Sequence, residues 1–189
     1  MGRVSQAQAQ ENRRRVVDTA SRLFREQGTQ VSVADLMKAA GLTHGGFYKQ
    51  FASKEALVDE ATAHAFAELA RRHTAGLEQY DGRRDTAQRA LIDAYLSVEH
   101  RDDPAGGCPV AALAVDVARG DEDCEARRTY TEGVADFAAF LAPVGAEGED
   151  GIARLCTLFG ALVLSRATVG SPLSEEILTA AHAALTEAG

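Results

Sequence analysis

The chain has 189 residues, of which 46% are hydrophobic and 25% charged. This excludes a disordered chain and is too long for a mini-domain that needs disulfides or a metal to fold. Three widely spaced cysteines (Cys108, Cys124 and Cys156) with no CxxC pair argue against a disulfide framework or zinc site, and neither a metal nor another cofactor is expected. The formal net charge of −8 speaks against nucleic acid as a partner, but the total hides an asymmetry. Residues 1–54 hold nine Lys and Arg against four Asp and Glu, a net +5, which leaves −13 for residues 55–189. Only the N-terminal end is suited to approach phosphates.

Ala, Leu, Glu and Arg dominate, Trp is absent and prolines number four, a composition that predicts an all-α fold. Val16, Ala20, Leu23 and Phe24 recur at helical period between about Glu11 and Gln27, and Gly28 ends that helix. Ser32 stands as N-cap of a second helix, VADLMKAA, stopped by Gly41. Thr43 is placed to cap a third, THGGFYKQF, with Phe47 and Phe51 turned to the core. Ser53 caps a fourth that runs from Lys54 to about Glu78. Two short helices joined by a glycine turn and held between longer ones describe a helix-turn-helix. If Phe47 and Phe51 face inward, Thr43, His44, Gly46 and Lys49 face outward. Lys54 adds charge at a helix N-terminus, where backbone amides also attract phosphate. Arg13, Arg14 and Arg15 are expected to be phosphate contacts or a free arm.

Further helices are predicted over about 84–99, 108–118, 122–141, 151–169 and 174–187, separated by loop compositions such as DDPAGG and PVGAEGED. No GxSxG, P-loop, dinucleotide fingerprint or HExxH is present, so no catalytic residue is assigned and no enzyme activity is expected. Neither an apolar run long enough to span a bilayer nor a signal-peptide core occurs, from which a cytoplasmic protein without a membrane partner is expected.

The stretch RRRVVDTASRLFREQGTQVSVADLMKAAGLTHGGFYKQFASKEALVDEA resembles the DNA-binding domain of the TetR/AcrR family of bacterial transcriptional regulators. Phe24 to Gly28, Val33-Ala34, Ala40-Gly41, Gly45, Phe47-Tyr48, Phe51 and Ser53 to Leu57 fall in register with its pattern. Gly46 departs from it, since the family often has Thr or Ser there. A second glycine weakens a short helix by roughly 1 kcal/mol but lets the backbone approach DNA closely.

The resemblance implies a helix-turn-helix DNA-binding domain over residues 1–54 and a helical ligand-binding and dimerisation domain over 55–189, linked by the fourth helix. It implies a homodimer on double-stranded operator DNA, a repressor released by a small-molecule effector. Ser32 and Tyr48, the latter similar to the family's phosphate-contacting tyrosine, join Thr43, His44, Gly46, Lys49 and Lys54 as the DNA-facing set. Tyr95, Val98, Cys108, Val110, Leu113, Val117, Tyr130, Val134, Phe137 and Leu158 are the candidate pocket. Leu155, Phe159, Leu162, Val163, Arg166, Leu178, Ala181 and Leu185 form the stripes expected to pair with their twins in a four-helix interface. Cys108 precedes Pro109 at a helix start, where a thiolate is stabilised and its pKa lowered. That position, similar to a branch of the family that senses electrophiles, makes a redox- or electrophile-sensing repressor switched through Cys108 the alternative reading.

Overall fold

The computed structural model describes residues 6–143 and 148–187, and the described residues contain helices and no strand. Helix α1 (Gln6–Gln27), α2 (Val33–Ala39), a short 3-10 helix η1 (His44–Lys49) and the start of α3 (Lys54–Gln79) build the N-terminal unit. Val16, Ala20, Phe24, Leu36, Met37, Phe47, Phe51 and Leu57 are its buried core, in keeping with the apolar spacing of the sequence. The α2–η1 turn has a definite cause. Gly41 sits at φ +69°, a region costly for any side chain, so Leu42 N–H reaches the Met37 carbonyl (2.8 Å) and Gly41 N–H that of Lys38 (3.0 Å).

Helix α1 starts five residues earlier than expected, and Arg13, Arg14 and Arg15 lie well inside it and not on a free arm. Arg13 donates to the Gln50 carbonyl and to Glu60, and its guanidinium lies 4.3 Å from the centre of the Phe51 ring. It latches α1 to α3 and to the end of the recognition segment. The third helix also differs from expectation, being 3-10. Gly45 and Gly46 depress helix propensity, and the Thr43 hydroxyl makes no capping bond although its backbone is extended.

The C-terminal unit adds α4 (Arg84–Tyr95), α5 (Val98–Asp102), α6 (Pro109–Arg119), α7 (Glu125–Leu141), α8 (Gly148–Ala167) and α9 (Leu173–Thr186). The single helix expected over 84–99 is broken at Leu96-Ser97. The Ser97 hydroxyl accepts from His100 N–H (3.1 Å) and donates to the Ala94 carbonyl (2.9 Å), starting a new helix at an angle to the old one. The core of this unit centres on Ile92, Leu96, Phe137, Leu141, Leu158 and Leu162. Leu113 of α6 belongs instead to the N-terminal core, with Val117 and Tyr130 packed on the same cluster.

Helices α7 and α8 cross tightly at a glycine, where a Cβ added to Gly151 would lie 2.2 Å from the Ala138 carbonyl oxygen. Both groups are backbone, so relief requires the helices to separate. Gly151→Ala is expected to lower stability by about 2 kcal/mol and Tm by roughly 5 °C in thermal unfolding. Gly76→Ala, on α3 in open space, should leave Tm unchanged or raise it.

Candidate nucleic-acid interface and ligand cavity

The recognition segment hangs on two aromatic rings. Phe47 and Phe51 stack at 5.3 Å inside the core, and Tyr48 meets Phe47 edge-on at 5.1 Å with 67% of its own surface exposed. Thr43, His44 and Lys49 are exposed beside it, as the sequence predicts, whereas Gly46 is half-buried and its Cβ direction is toward the buried Met37. Lys54 is half-buried at the first turn of α3, next to the N-cap Ser53, whose hydroxyl accepts from Ala56 N–H (3.1 Å). Ser32 is exposed, and its hydroxyl accepts from Asp35 N–H (3.1 Å) and contacts the Asp35 carboxylate (2.6 Å). A Cβ at Gly46 would make ordinary contacts with Met37 Cε (3.5 Å) and Thr43 Oγ1 (3.9 Å).

The second feature is a cavity of about 630 Å³ enclosed by α3, α4, α5, α7 and the segment 103–108. Its walls are Leu69, Ala87, Ala90, Leu91, Ala94, Phe137 and Phe140, with Arg72, His73, Tyr95, His100, Asp103 and Cys108 supplying polar atoms. Of the ten pocket candidates, Tyr95, Cys108 and Phe137 line this space. The other seven do not. Val98 is exposed on α5, and Val110, Val134 and Leu158 pack in the C-terminal core. Leu113 and Val117 face the N-terminal unit. The Tyr130 hydroxyl donates to the Val110 carbonyl (2.8 Å), and its ring meets Phe66 edge-on. Burial pushes the Tyr130 hydroxyl up to about 12. Helical periodicity marks all of these as inward-facing and cannot say which interior they face. His73 and Arg72, overlooked in the sequence, are on α3 in a stretch that reads as a charged, solvated face.

Cys108 corrects a second expectation. It is the N-cap of α6 with Pro109 following, as predicted, but it is 3% exposed, and burial pushes its thiol up, outweighing the nearby Tyr95 hydroxyl, the α6 amides and Arg166. Desolvation of a thiolate is the larger effect, so the thiol form is favoured here. Tyr95 is raised well above its ordinary value, first by burial and then by the neighbouring Cys108.

His73 stacks on Phe140 (4.4 Å, 13° between planes) and leans on Phe137 (4.7 Å). Burial, aided by Arg72, lowers its pKa to about 4. His100 donates from Nδ1 to the Tyr95 carbonyl (2.7 Å), leaving Nε2 as an acceptor, and burial lowers its pKa too.

The cavity is tied to the N-terminal unit through Arg25, whose side chain is 2% exposed. Its guanidinium donates to the Ser21 carbonyl, to Glu68 on α3 and to the Gly107 carbonyl, each at 3.1 Å. Arg72, on the cavity wall, donates to the Gly106 carbonyl (2.9 Å) and approaches the same Glu68 at 3.6 Å. Asp116 of α6 accepts from Thr29 N–H (2.6 Å) just past the end of α1.

The expected dimer stripe divides in two. Leu155, Leu162, Leu178 and Leu185 are buried in their own core and cannot meet a partner. Phe159 and Ala181 are partly buried against that core. Arg166 donates to the carbonyls of Arg101 and His100 (3.0 Å each), closing the end of α5. Val163 remains on the outer face, with Ile152 and Leu164 of the same helix and Val169 and Leu173 nearby. Helix α8 has apolar residues on both sides, and the larger, leucine-rich side faces inward.

A basic, aromatic-braced helix-turn-helix is thus joined to an acidic helical body. Residues 16–61 match the family model described as bacterial regulatory proteins, tetR family. Over 61 residues, 32% of the chain, it is 41% identical to the HTH-type transcriptional regulator AcrR of Shigella flexneri; the match spans 28% of that protein's length. Solved structures similar over most of the chain include the reduced form of NemR from E. coli (TM-score 0.78, 20% identity, 94% of this chain and 96% of that one). A TetR-family regulator from Agrobacterium tumefaciens (TM-score 0.71, 21%, covering 91% and 95%) and a TetR regulator from Chloroflexus aurantiacus (0.74, 24%, covering 95% and 94%) share the fold. Residues 16–61 therefore carry the pattern of that family's model, and the chain as a whole shares the fold of these solved regulators.

Two outcomes follow from this geometry. Lys49→Ala should leave Tm unchanged but weaken binding to a selected DNA duplex by about tenfold, because an exposed cation is lost from the segment. An unchanged affinity in fluorescence anisotropy would remove Lys49 from the interface. His73 is held neutral in the folded protein, so its contribution to stability is complete above the unfolded pKa near 6.5 and is lost as pH falls toward 4. Between pH 7 and 4.5, wild type should lose about 2 kcal/mol more than His73→Leu in urea unfolding.

Proposed function

We propose that the chain is a homodimeric, operator-binding repressor whose DNA affinity is lowered when a small molecule occupies the cavity. Residues 1–54 serve as the DNA-binding domain and 55–189 as the ligand-binding and dimerisation domain. Thr43, His44 and Lys49 read the major groove, while Tyr48 and Lys54 hold phosphates. The exposed apolar side chains Ile152, Val163 and Leu164 of α8 supply the contact with a second copy.

The observation that carries the reading is the double link of Arg25 and Arg72 to the segment 103–108. That segment is cavity wall on one side and the hydrogen-bond acceptor for α1 on the other. A ligand that displaces the Gly106-Gly107 carbonyls moves the groups that orient α1, and with it the recognition segment. Two DNA-bound arrangements of different ligand affinity are all that such coupling requires, and about 1–3 kcal/mol is its usual size. Reversible binding is favoured over thiol chemistry because Cys108 is buried and its thiol pKa is raised.

Selection from a random duplex pool tests the first half: a two-fold-symmetric site with half-sites about one helical turn apart is expected, and an asymmetric site would reject the dimer. Arg25→Met tests the second half. It should retain DNA binding, because no base or phosphate role is assigned to it, while the change in DNA affinity on ligand addition falls at least threefold. Glu68→Gln should reduce that response less, since an amide still accepts from Arg25.

A further inference from the structure

The recognition segment has little of its own to hold it in place. It is six residues of 3-10 helix weakened by Gly45 and Gly46, the Thr43 hydroxyl makes no capping bond, and Phe47 is its one buried side chain. Reading base edges demands far more, since the reading side chains have to be held to about 0.5 Å. At the C-terminal end of the segment the Gln50 and Phe51 amides both donate to the Phe47 carbonyl (2.8 and 3.0 Å). The Gln50 carbonyl has no such partner within the segment and accepts from α1 instead, where Arg13 meets it.

The three successive arginines of α1 are used differently. Arg14 pairs with Glu11 at 3.6 Å and Arg15 donates to Asn12 at 3.0 Å, both contacts within one turn on the exposed surface of the same helix. Arg13, whose side chain is 39% exposed, reaches across to other elements. One guanidinium nitrogen donates to the Gln50 carbonyl and the other to Glu60 of α3, while the group lies 4.3 Å from the centre of the Phe51 ring. One planar group thereby ties the end of the recognition segment to α1 and to α3. A guanidinium is suited to this because it forks to two acceptors and offers a flat face to an aromatic ring, whereas an ammonium is a point charge.

We infer that Arg13 is a positioning residue for DNA readout: it fixes the end of the recognition segment against α1 and α3, and supports operator affinity without touching DNA. This rests on the reading of the segment as the groove reader and names what sets its angle. The charge of Arg13 is met by Glu60 and a carbonyl, which leaves Arg14 and Arg15 as the exposed cations of this stretch.

Arg13→Lys keeps the charge and removes the fork. A duplex selected from a random pool and an unrelated duplex of equal length are titrated by anisotropy over a range of salt concentrations. Arg13→Lys is expected to bind the selected duplex about tenfold more weakly and the unrelated one within about twofold of wild type, with an unchanged salt dependence. A phosphate contact would behave in the opposite way. Lysine would restore it, and Arg13→Met would weaken both duplexes alike and reduce the slope of log affinity against log salt by about 0.9. Glu60→Gln leaves an acceptor for Arg13 and should cost less than about threefold on the selected duplex. Hydrogen exchange of the free protein reads the hold without DNA: the Gln50 and Phe51 amides should exchange about tenfold faster in Arg13→Lys, with α6 to α9 unchanged. Wild-type affinity of Arg13→Lys for the selected duplex, equal losses on both duplexes, or unaltered exchange at Gln50 and Phe51 would each overturn the inference. If the wild type selects no duplex, it is the operator reading that fails, and exchange alone decides whether Arg13 fixes the segment.

Discussion

The Arg25 guanidinium is the interaction on which the two units of this chain depend. A buried cation is strongly unfavourable without partners, and Arg25 obtains its partners from three places: its own helix, α3 and the segment before α6. Its pKa is lowered by burial and restored in part by Glu68. Moving any of the three away would expose or orphan the charge. The N-terminal unit is therefore not a bead on a linker but is held in orientation by a polar contact at the edge of the cavity, backed by Leu113 inside its core.

The cavity shows the same economy of parts. Breaking the helix at Ser97 turns His100 back onto Tyr95, with ring centres 4.6 Å apart, and the histidine then ties off the Tyr95 carbonyl left open by the break. Arg166 satisfies the carbonyls at the end of α5. The carbonyls at this bend are thereby paired, while the buried Tyr95 hydroxyl and His73 Nε2 are left without a hydrogen-bond partner that meets the geometry. Cys108 belongs to this enclosure as a buried neighbour of Tyr95. Its position at a helix N-terminus favours the thiolate, yet the loss of water outweighs that help.

Helix α8 carries opposing requirements on its two faces. Leu155, Leu158 and Leu162 close the core of the protomer, while Ile152, Val163 and Leu164 stand outside it. Those outer apolar side chains are the surface that the proposed second copy would cover.

Local signals in the sequence were enough to determine the all-α class, the order of the helices and the helix-turn-helix with its outward positions. Capping serines, glycine stops and the Phe47/Phe51 spacing act within a few residues and leave few alternatives. Ser97 is a legible cap in the sequence, and the Gly45-Gly46 pair implies a weakened third helix. What only the tertiary structure decided was which interior each apolar residue joins and which polar residue loses its water. Leu113 and Leu158 have the same local pattern and lie in different cores, Arg13 and Arg25 look alike as surface charges and become a latch and a buried link, and His73 is neutral because α7 covers it. Helical period records that a residue faces inward, whereas burial and pKa depend on contacts across 30 to 80 residues of chain, which no local spacing encodes.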